Sequence, residues 1–150
     1  MSHSYCSCLV HYVFSTKDRR NLISANLAER LYPYLGGIAR ENGMKALAVG
    51  GIENHMHILT SLPPTITIAK GVQLLKGGSS KWIHETFPIH AGFAWQEGYG
   101  GFSIGVSGID DTVAYIQNQR EHHRHMTFEE EFIAFLNRHG IPYDERYVWG

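Results

Sequence analysis

Met44 to Gly50 and His55 to Leu62 are two short apolar runs separated by Gly50-Gly51-Ile52-Glu53-Asn54. Runs of this length on either side of a glycine-rich turn read as a β-hairpin, and Pro63-Pro64 ends it because proline cannot donate to a strand ladder. Side chains alternate faces along a strand. His55 and His57 therefore project from one face of the second hairpin strand and Met56 from the other. Two imidazoles side by side on a rigid element make half of a metal site, while Met56, Ile58 and Leu59 can anchor the strand in a core.

The elements around this hairpin complete a pattern. Tyr5 to Phe14 reads as a strand rich in aromatic and β-branched residues. Cys6, Cys8, Val10, Tyr12 and Phe14 fall on one face, and Tyr5, Leu9, His11 and Val13 on the other, which suggests a central strand. Cys6 and Cys8 lie too close in sequence to bridge each other easily, and a Cys-x-Cys pair without further cysteines is a poor zinc framework. They are expected to be small strand residues. Ser24 can cap a helix running to about Asn42, with Gly43 beyond its end and a kink or broken first turn expected at Pro33. Thr67 opens a second helix, with Ile68, Val72, Leu75, Ser79, Trp82, Ile83 and Thr86 on one face. Within it, Gly77-Gly78 marks either a break or a close approach to the backbone.

Phe102, Ile104 and Val106 alternate as a fourth strand after a glycine-rich, aromatic loop whose Trp95 and Tyr99 suit either core packing or base stacking. A third helix is expected from about Ile109 to His123, with the apolar stripe Ile109, Val113 and Ile116. Tyr115 lies at the margin of that stripe, Gln119 is one turn below it, and His122 and His123 continue the same side. Thr127-Phe128-Glu129-Glu130 fits a capping box for a fourth helix with the stripe Phe128, Phe132, Phe135 and Leu136. A tail, Tyr143 to Gly150, is expected to dock through Tyr147, Val148 and Trp149. The order β-α-β-β-α-β-α-α begins with a ferredoxin-like split βαβ arrangement, an α+β antiparallel sheet with helices on one face. It would put the first and third strands in the middle and leave the face carrying His55 and His57 free of the first two helices and exposed.

Composition bounds the chemistry. At 150 residues, one domain with a sizeable core is expected. Lys and Arg number 13 against 14 Asp and Glu, a formal net charge of -1, so nucleic-acid binding would have to come from local patches and the ten histidines. The candidate patches are Lys17, Arg19 and Arg20 in the loop after the first strand, and Lys76 and Lys81 on the second helix. No apolar run approaches the ~20 residues of a membrane span. The opening Met1-Ser2-His3-Ser4 lacks the basic-then-apolar pattern of a secretory signal, so a cytoplasmic location is expected.

His55-Met56-His57 resembles the His-hydrophobe-His (HUH) motif, and Tyr115 with Gln119 resembles the Tyr-x-x-x-Gln helix that accompanies it in small single-tyrosine transposases of insertion sequences, the TnpA-type family and its REP-associated relatives. The resemblance extends over Thr16-Lys17-x-Arg19, Asn54, Pro63, the Lys76-to-Trp82 helix, Trp95-Gln96, His122-His123 and the acidic-aromatic helix after them. It implies a DNA transposase that cuts and rejoins single-stranded DNA near hairpins at element ends. In that chemistry Tyr115 is the nucleophile and a 5′-phosphotyrosine the intermediate. His55, His57 and Gln119 are the ligands of a divalent metal, Mg²⁺ or Mn²⁺, and His122 and His123 are rival ligands or DNA contacts. It also implies a homodimer in which the tyrosine helix can lie against the partner's histidine pair. Two other classes remain compatible with the residues. One is a metal-dependent phosphodiesterase in which water attacks; the other is a non-catalytic ferredoxin-like nucleic-acid-binding module.

Overall fold

The computed structural model describes residues 3–149; Met1, Ser2 and Gly150, the last of them the end of the expected tail, lie outside the described residues. Four strands, β1 (Leu9–Ser15), β2 (Lys45–Ile52), β3 (His55–Ser61) and β4 (Gly100–Ile104), form one sheet in the order β2-β3-β1-β4. Every pairing is antiparallel. The first and third strands are thus in the middle, as the split βαβ order requires. The helices are α1 (Ala25–Glu41), α2 (Ile68–Thr86), α3 (Ile109–Gln117), α4 (Gln119–His122) and α5 (Phe128–Arg138).

Short side chains at the helix starts set three of these boundaries. Ser24 Oγ accepts from the Leu27 amide at 3.1 Å and Thr67 Oγ1 from the Lys70 amide at 3.0 Å. Thr127 and Glu130 form the reciprocal capping box of α5. Each cap satisfies an amide that the first helical turn leaves unpaired, worth about 1 kcal/mol.

The register of β1 on β3 sorts the core. Phe14 pairs with Met56, Tyr12 with Ile58 and Val10 with Thr60; on the other face Ser15 pairs with His55, Val13 with His57 and His11 with Leu59. Val10, Tyr12, Phe14, Met56 and Ile58 pack with α1 and α2 residues such as Leu31, Leu35, Leu75 and Ile83.

The opposite face differs from the expectation of an exposed surface. Val13 and Phe102 pack under Phe128, Phe132, Phe135 and Leu136 of α5, while Ala48 and Leu59 pack under Ile116 of α3. The reason lies in the strands themselves. Val13, Leu59 and Phe102 are as apolar as the residues facing α1 and α2, so a two-layer protein would leave them in water.

Other boundaries also shift. Residues 5–8 precede β1, and Cys6 and Cys8 are exposed free thiols. Helix α1 keeps helical backbone through Pro33, and α2 runs unbroken through Gly77-Gly78. A Cβ on Gly78 would lie 3.0 Å from Ile38 Cδ1, so that glycine marks the close approach of α1 to α2. Trp95 belongs to the core, its indole N–H donating to Ser79 Oγ at 3.0 Å, and Gly100 and Gly101 lie inside β4 rather than in a preceding loop. The expected single helix from Ile109 to His123 is divided at Asn118, which leaves helical geometry at φ -103°, ψ 23°. In the tail, Val148 and Trp149 dock on the α5 cluster while Tyr147 stays exposed.

Candidate metal and tyrosine site

His55 and His57 are fully buried on β3, beneath α3, α4 and α5. Each imidazole is held from behind. His55 Nδ1 lies 2.9 Å from Asn54 Oδ1, and His123 Nδ1 lies 2.6 Å from the Met126 carbonyl. Both oxygens accept, so both Nδ1 atoms carry hydrogen and each Nε2 is turned toward the centre of the site. His57 Nδ1 faces His11 Nε2 on the adjacent strand at 2.8 Å, which orients its ring in the same way.

The three Nε2 atoms converge on Glu131 Oε1, at 3.3 Å from His55, 2.9 Å from His57 and 3.3 Å from His123. Gln119 Oε1 faces the same point, 3.1 Å from His55 Nε2 and 3.0 Å from His123 Nε2. Its amide is aimed by the break at Asn118, where Gln119 Nε2 donates to the Tyr115 carbonyl at 3.2 Å. Ligand atoms of His55, His57, His123 and Glu131 all lie within 4.8 Å of one another, a group that can hold a metal ion. Acceptor atoms gathered at one point repel unless protons or a cation lie between them. Imidazole nitrogens with a carboxylate and an amide oxygen are a donor set suited to a divalent metal.

Tyr115 closes the other side. Its hydroxyl donates to Glu131 Oε2 and lies 3.2 Å from His122 Nε2, which is itself 3.2 Å from Glu131 Oε2. The Tyr115 and His57 rings are 5.6 Å apart. This group opens to solvent through a cleft of about 290 Å³ lined by His11, Asp111, Tyr115, His122, Glu131 and Arg138.

Burial sets the protonation states. It lowers His57 to about 4, against the pull of the Glu131 carboxylate, and with His57 it lowers His11 to about 3. Burial alone would raise Glu131, but hydrogen bonds from His123, His55 and His57 outweigh it and hold the carboxyl far below its usual range. His123 is raised because its bond to Glu131 overcomes burial, and His122 is lowered by burial. Tyr115 is raised by burial and then by Glu131, so its resting state is the phenol.

The residues singled out in the sequence thus divide. Tyr115, His55, His57, Gln119, His122 and His123 meet in one place within a single chain. Lys17 and Arg20 are exposed; Arg19 faces Glu129 at 3.4 Å and lies 4.8 Å above the Trp149 ring. Lys76 and Lys81 sit on α2, across the sheet from the histidines. Lys81 is exposed, whereas the Lys76 ammonium donates to the carbonyls of Gln96 at 2.5 Å and Gly98 at 2.9 Å. Glu131 was not anticipated. Its signal is its spacing: three residues after Phe128 and four before Phe135, it puts a carboxylate in the middle of the apolar stripe of α5.

Comparisons with known proteins bear on the family of the chain and on its fold. Residues 4–119 match the family described as "Transposase IS200 like". The ISDra2 transposase TnpA of Deinococcus radiodurans is 24% identical over 116 residues, 74% of this chain and 83% of that protein. The transposase for insertion sequence element IS200 of Salmonella typhimurium is 25% identical over 87 residues, 58% of this chain and 57% of that protein. Among solved structures, an inferred transposase from Deinococcus radiodurans superposes with a TM-score of 0.63 at 25% identity, covering 79% of this chain and 96% of that one. A REP-associated tyrosine transposase bound to a REP hairpin shares the fold, with a TM-score of 0.56 at 15% identity over 77% of this chain and 68% of that one. With the family match spanning most of its length and the HUH histidines and helix-borne tyrosine side by side, the chain belongs to the IS200-like transposases.

Proposed function

We propose that this transposase cleaves and rejoins single-stranded DNA by transesterification, with Tyr115 as nucleophile. The observation that carries the reading is the placement of the Tyr115 hydroxyl beside the buried HUH pair in one solvent-open cleft. In the forward step the Tyr115 oxygen bonds to phosphorus and the bond from phosphorus to the 3′ oxygen breaks. The phenol proton passes to the Glu131–His122 side of the cleft, and the leaving 3′ oxygen takes up a proton. The products are a 5′-phosphotyrosine and a free 3′-OH. Attack by such a hydroxyl reverses the step, and no energy source is needed because the ester is conserved.

His55, His57 and Gln119 are the proposed ligands of a divalent cation, Mg²⁺ or Mn²⁺. The chemistry a bound cation supplies is polarisation of the scissile phosphate and neutralisation of charge in the transition state. Imidazole donors favour Mn²⁺ over Mg²⁺ in affinity. His11 and Asn54 orient the histidines, and α5 covers that pair while the cleft beside Tyr115 stays open. The REP-associated neighbour named above carries a REP hairpin, which supports hairpin-forming single strands as the substrate here. Lys17, Arg19 and Arg20, which follow the end of β1 beside His55, are the proposed backbone contacts on the side of the site; Lys81 is a more distant one. No helix among the described residues is long and apolar enough to cross a membrane, and a DNA substrate suits a cytoplasmic enzyme.

The tyrosine lies against the histidines of its own chain, which supports a site that works in cis. A homodimer remains the proposed assembly, and mixing tests the cis reading. Dimers of His57→Ala with Tyr115→Phe subunits regain activity only if sites form between subunits. The reaction itself is tested with labelled single-stranded DNA from the flanks of the gene and Mn²⁺. A denaturation-resistant protein–DNA adduct that disappears in Tyr115→Phe is expected. Cleavage that survives Tyr115→Phe would overturn the role of the tyrosine and favour attack by water.

A further inference from the structure

We propose that Glu131 is a catalytic residue that links the two halves of the site, completing the cation site with one carboxylate oxygen, alongside His123, and holding the nucleophile with the other. The inference rests on the tyrosine reading above and extends it to a segment that the family match does not reach. That match ends at residue 119, whereas His122, His123 and Glu131 follow it.

The two oxygens of Glu131 have different partners. Oε1 faces the Nε2 atoms of His55, His57 and His123, and Oε2 accepts from the Tyr115 hydroxyl and faces His122. A carboxylate kept only to anchor one histidine needs one oxygen; this one is engaged at both ends. Glu131 is 1% exposed, and its ionic partners are all histidines, with no lysine or arginine among them. A buried carboxylate without a permanent countercharge is costly, and a divalent cation among these donors would neutralise it.

Helix α5 is also shaped to deliver this residue. The capping box fixes its start. Phe128, three residues before Glu131, stacks on His55 with centroids 4.5 Å apart, and Phe135, four residues after it, meets the edge of His11 at 5.2 Å. The helix therefore grips the rings of the site on both sides of the carboxylate. With Oε1 drawn to a cation, Oε2 still points at the Tyr115 oxygen, so occupancy of the cation site and alignment of the nucleophile become one event.

The test measures Mn²⁺ binding by calorimetry and by electron paramagnetic resonance, apart from any DNA reaction, in wild type, Glu131→Gln, Tyr115→Phe and His123→Ala. Glu131→Gln is expected to weaken Mn²⁺ at least about tenfold and His123→Ala to weaken it measurably, while Tyr115→Phe stays within about twofold. At saturating Mn²⁺, Glu131→Gln should still form the DNA adduct at least about tenfold more slowly, because a neutral amide is a far weaker proton acceptor for the hydroxyl than a carboxylate. Circular dichroism melts establish that each variant is folded. Should Glu131→Gln fail to fold, Glu131→Asp keeps the charge, retracts it by one methylene and is expected to show both defects. Wild-type Mn²⁺ affinity together with a wild-type adduct rate in the Glu131 variant would overturn the proposal while leaving the Tyr115 reaction intact. Absence of an adduct in every protein, wild type included, would count against the reaction and leave the Mn²⁺ comparison to decide the role of Glu131 in the cation site.

Discussion

A Cβ on Gly50 would lie 2.3 Å from the carbonyl oxygen of Ile116, so the end of the tyrosine helix rests directly on the backbone of β2. Ile116 follows Tyr115, and this contact therefore helps set the height of the nucleophile above His57. Gly50→Ala is expected to push α3 away, to cost about 1–3 kcal/mol of stability and to reduce adduct formation by more than the stability loss explains. Gly36→Ala is the matched control. Gly36 lies inside α1 with nothing within 4 Å of its Cβ position, so alanine there should stabilise by about 0.5–1 kcal/mol and leave activity alone. Thermal melts and single-turnover rates of the two variants check both statements.

Metal binding should stabilise the fold. A cation that binds the assembled histidines and not the unfolded chain adds about 2.7 kcal/mol at a hundredfold excess over its Kd. The melting temperature is expected to rise with Mn²⁺, to return on adding chelator, and to lose this response in His57→Ala. A melting temperature indifferent to Mn²⁺, Mg²⁺ and chelator would argue against a cation site.

Acid should unfold the metal-free protein early. His57 titrates near 4 and His11 near 3 in the fold, against 6.5 in the unfolded chain. Below pH 6.5 the unfolded chain therefore binds more protons, and stability falls by up to ~1.4 kcal/mol per pH unit for each histidine until its folded value is reached. Glu131 acts in the same direction, since its lowered value gives stability that is present above its ordinary 4.5 and lost below it. His123 opposes them modestly, because its raised value gives stability that fades as pH rises through that value. The expected profile is a plateau above about pH 6.5 and a decline below it, measurable by denaturant melts in the presence of chelator.

The cations should separate by salt dependence. Each backbone phosphate contact removed from a single strand should lower the slope of log K against log salt by about 0.7. Arg20→Ala and Lys17→Ala are expected to do so. Lys76→Met should instead destabilise the fold with little change in slope, because its ammonium binds the carbonyls of the 96–98 segment. Fluorescence anisotropy on a labelled strand at several salt concentrations distinguishes the two outcomes.

Local pattern alone determined the sheet and the first two helices. Alternation placed His55 and His57 on one face, Ser24, Thr67 and Thr127 marked helix starts, and the order of elements implied β1 and β3 in the middle. These features depend on neighbours in sequence, where short-range periodicity speaks directly. Helical spacing put Tyr115 and Gln119 on one ridge, and only the resemblance to a transposase family suggested roles for them; the break at Asn118 was not legible, because a helix end is set by what the turn packs against. Tertiary structure decided the rest. Only when α5 folds back over the sheet does Glu131 arrive 2.9 Å from His57, 74 residues away in the chain. The pairing of β1 with β3 likewise makes His11, 46 residues away, the residue that orients His57. The physical reason is the second apolar face of β1, β3 and β4. Covering Val13, Leu59 and Phe102 brings down the helices that bury the histidines, and the same burial carries one carboxylate into their midst.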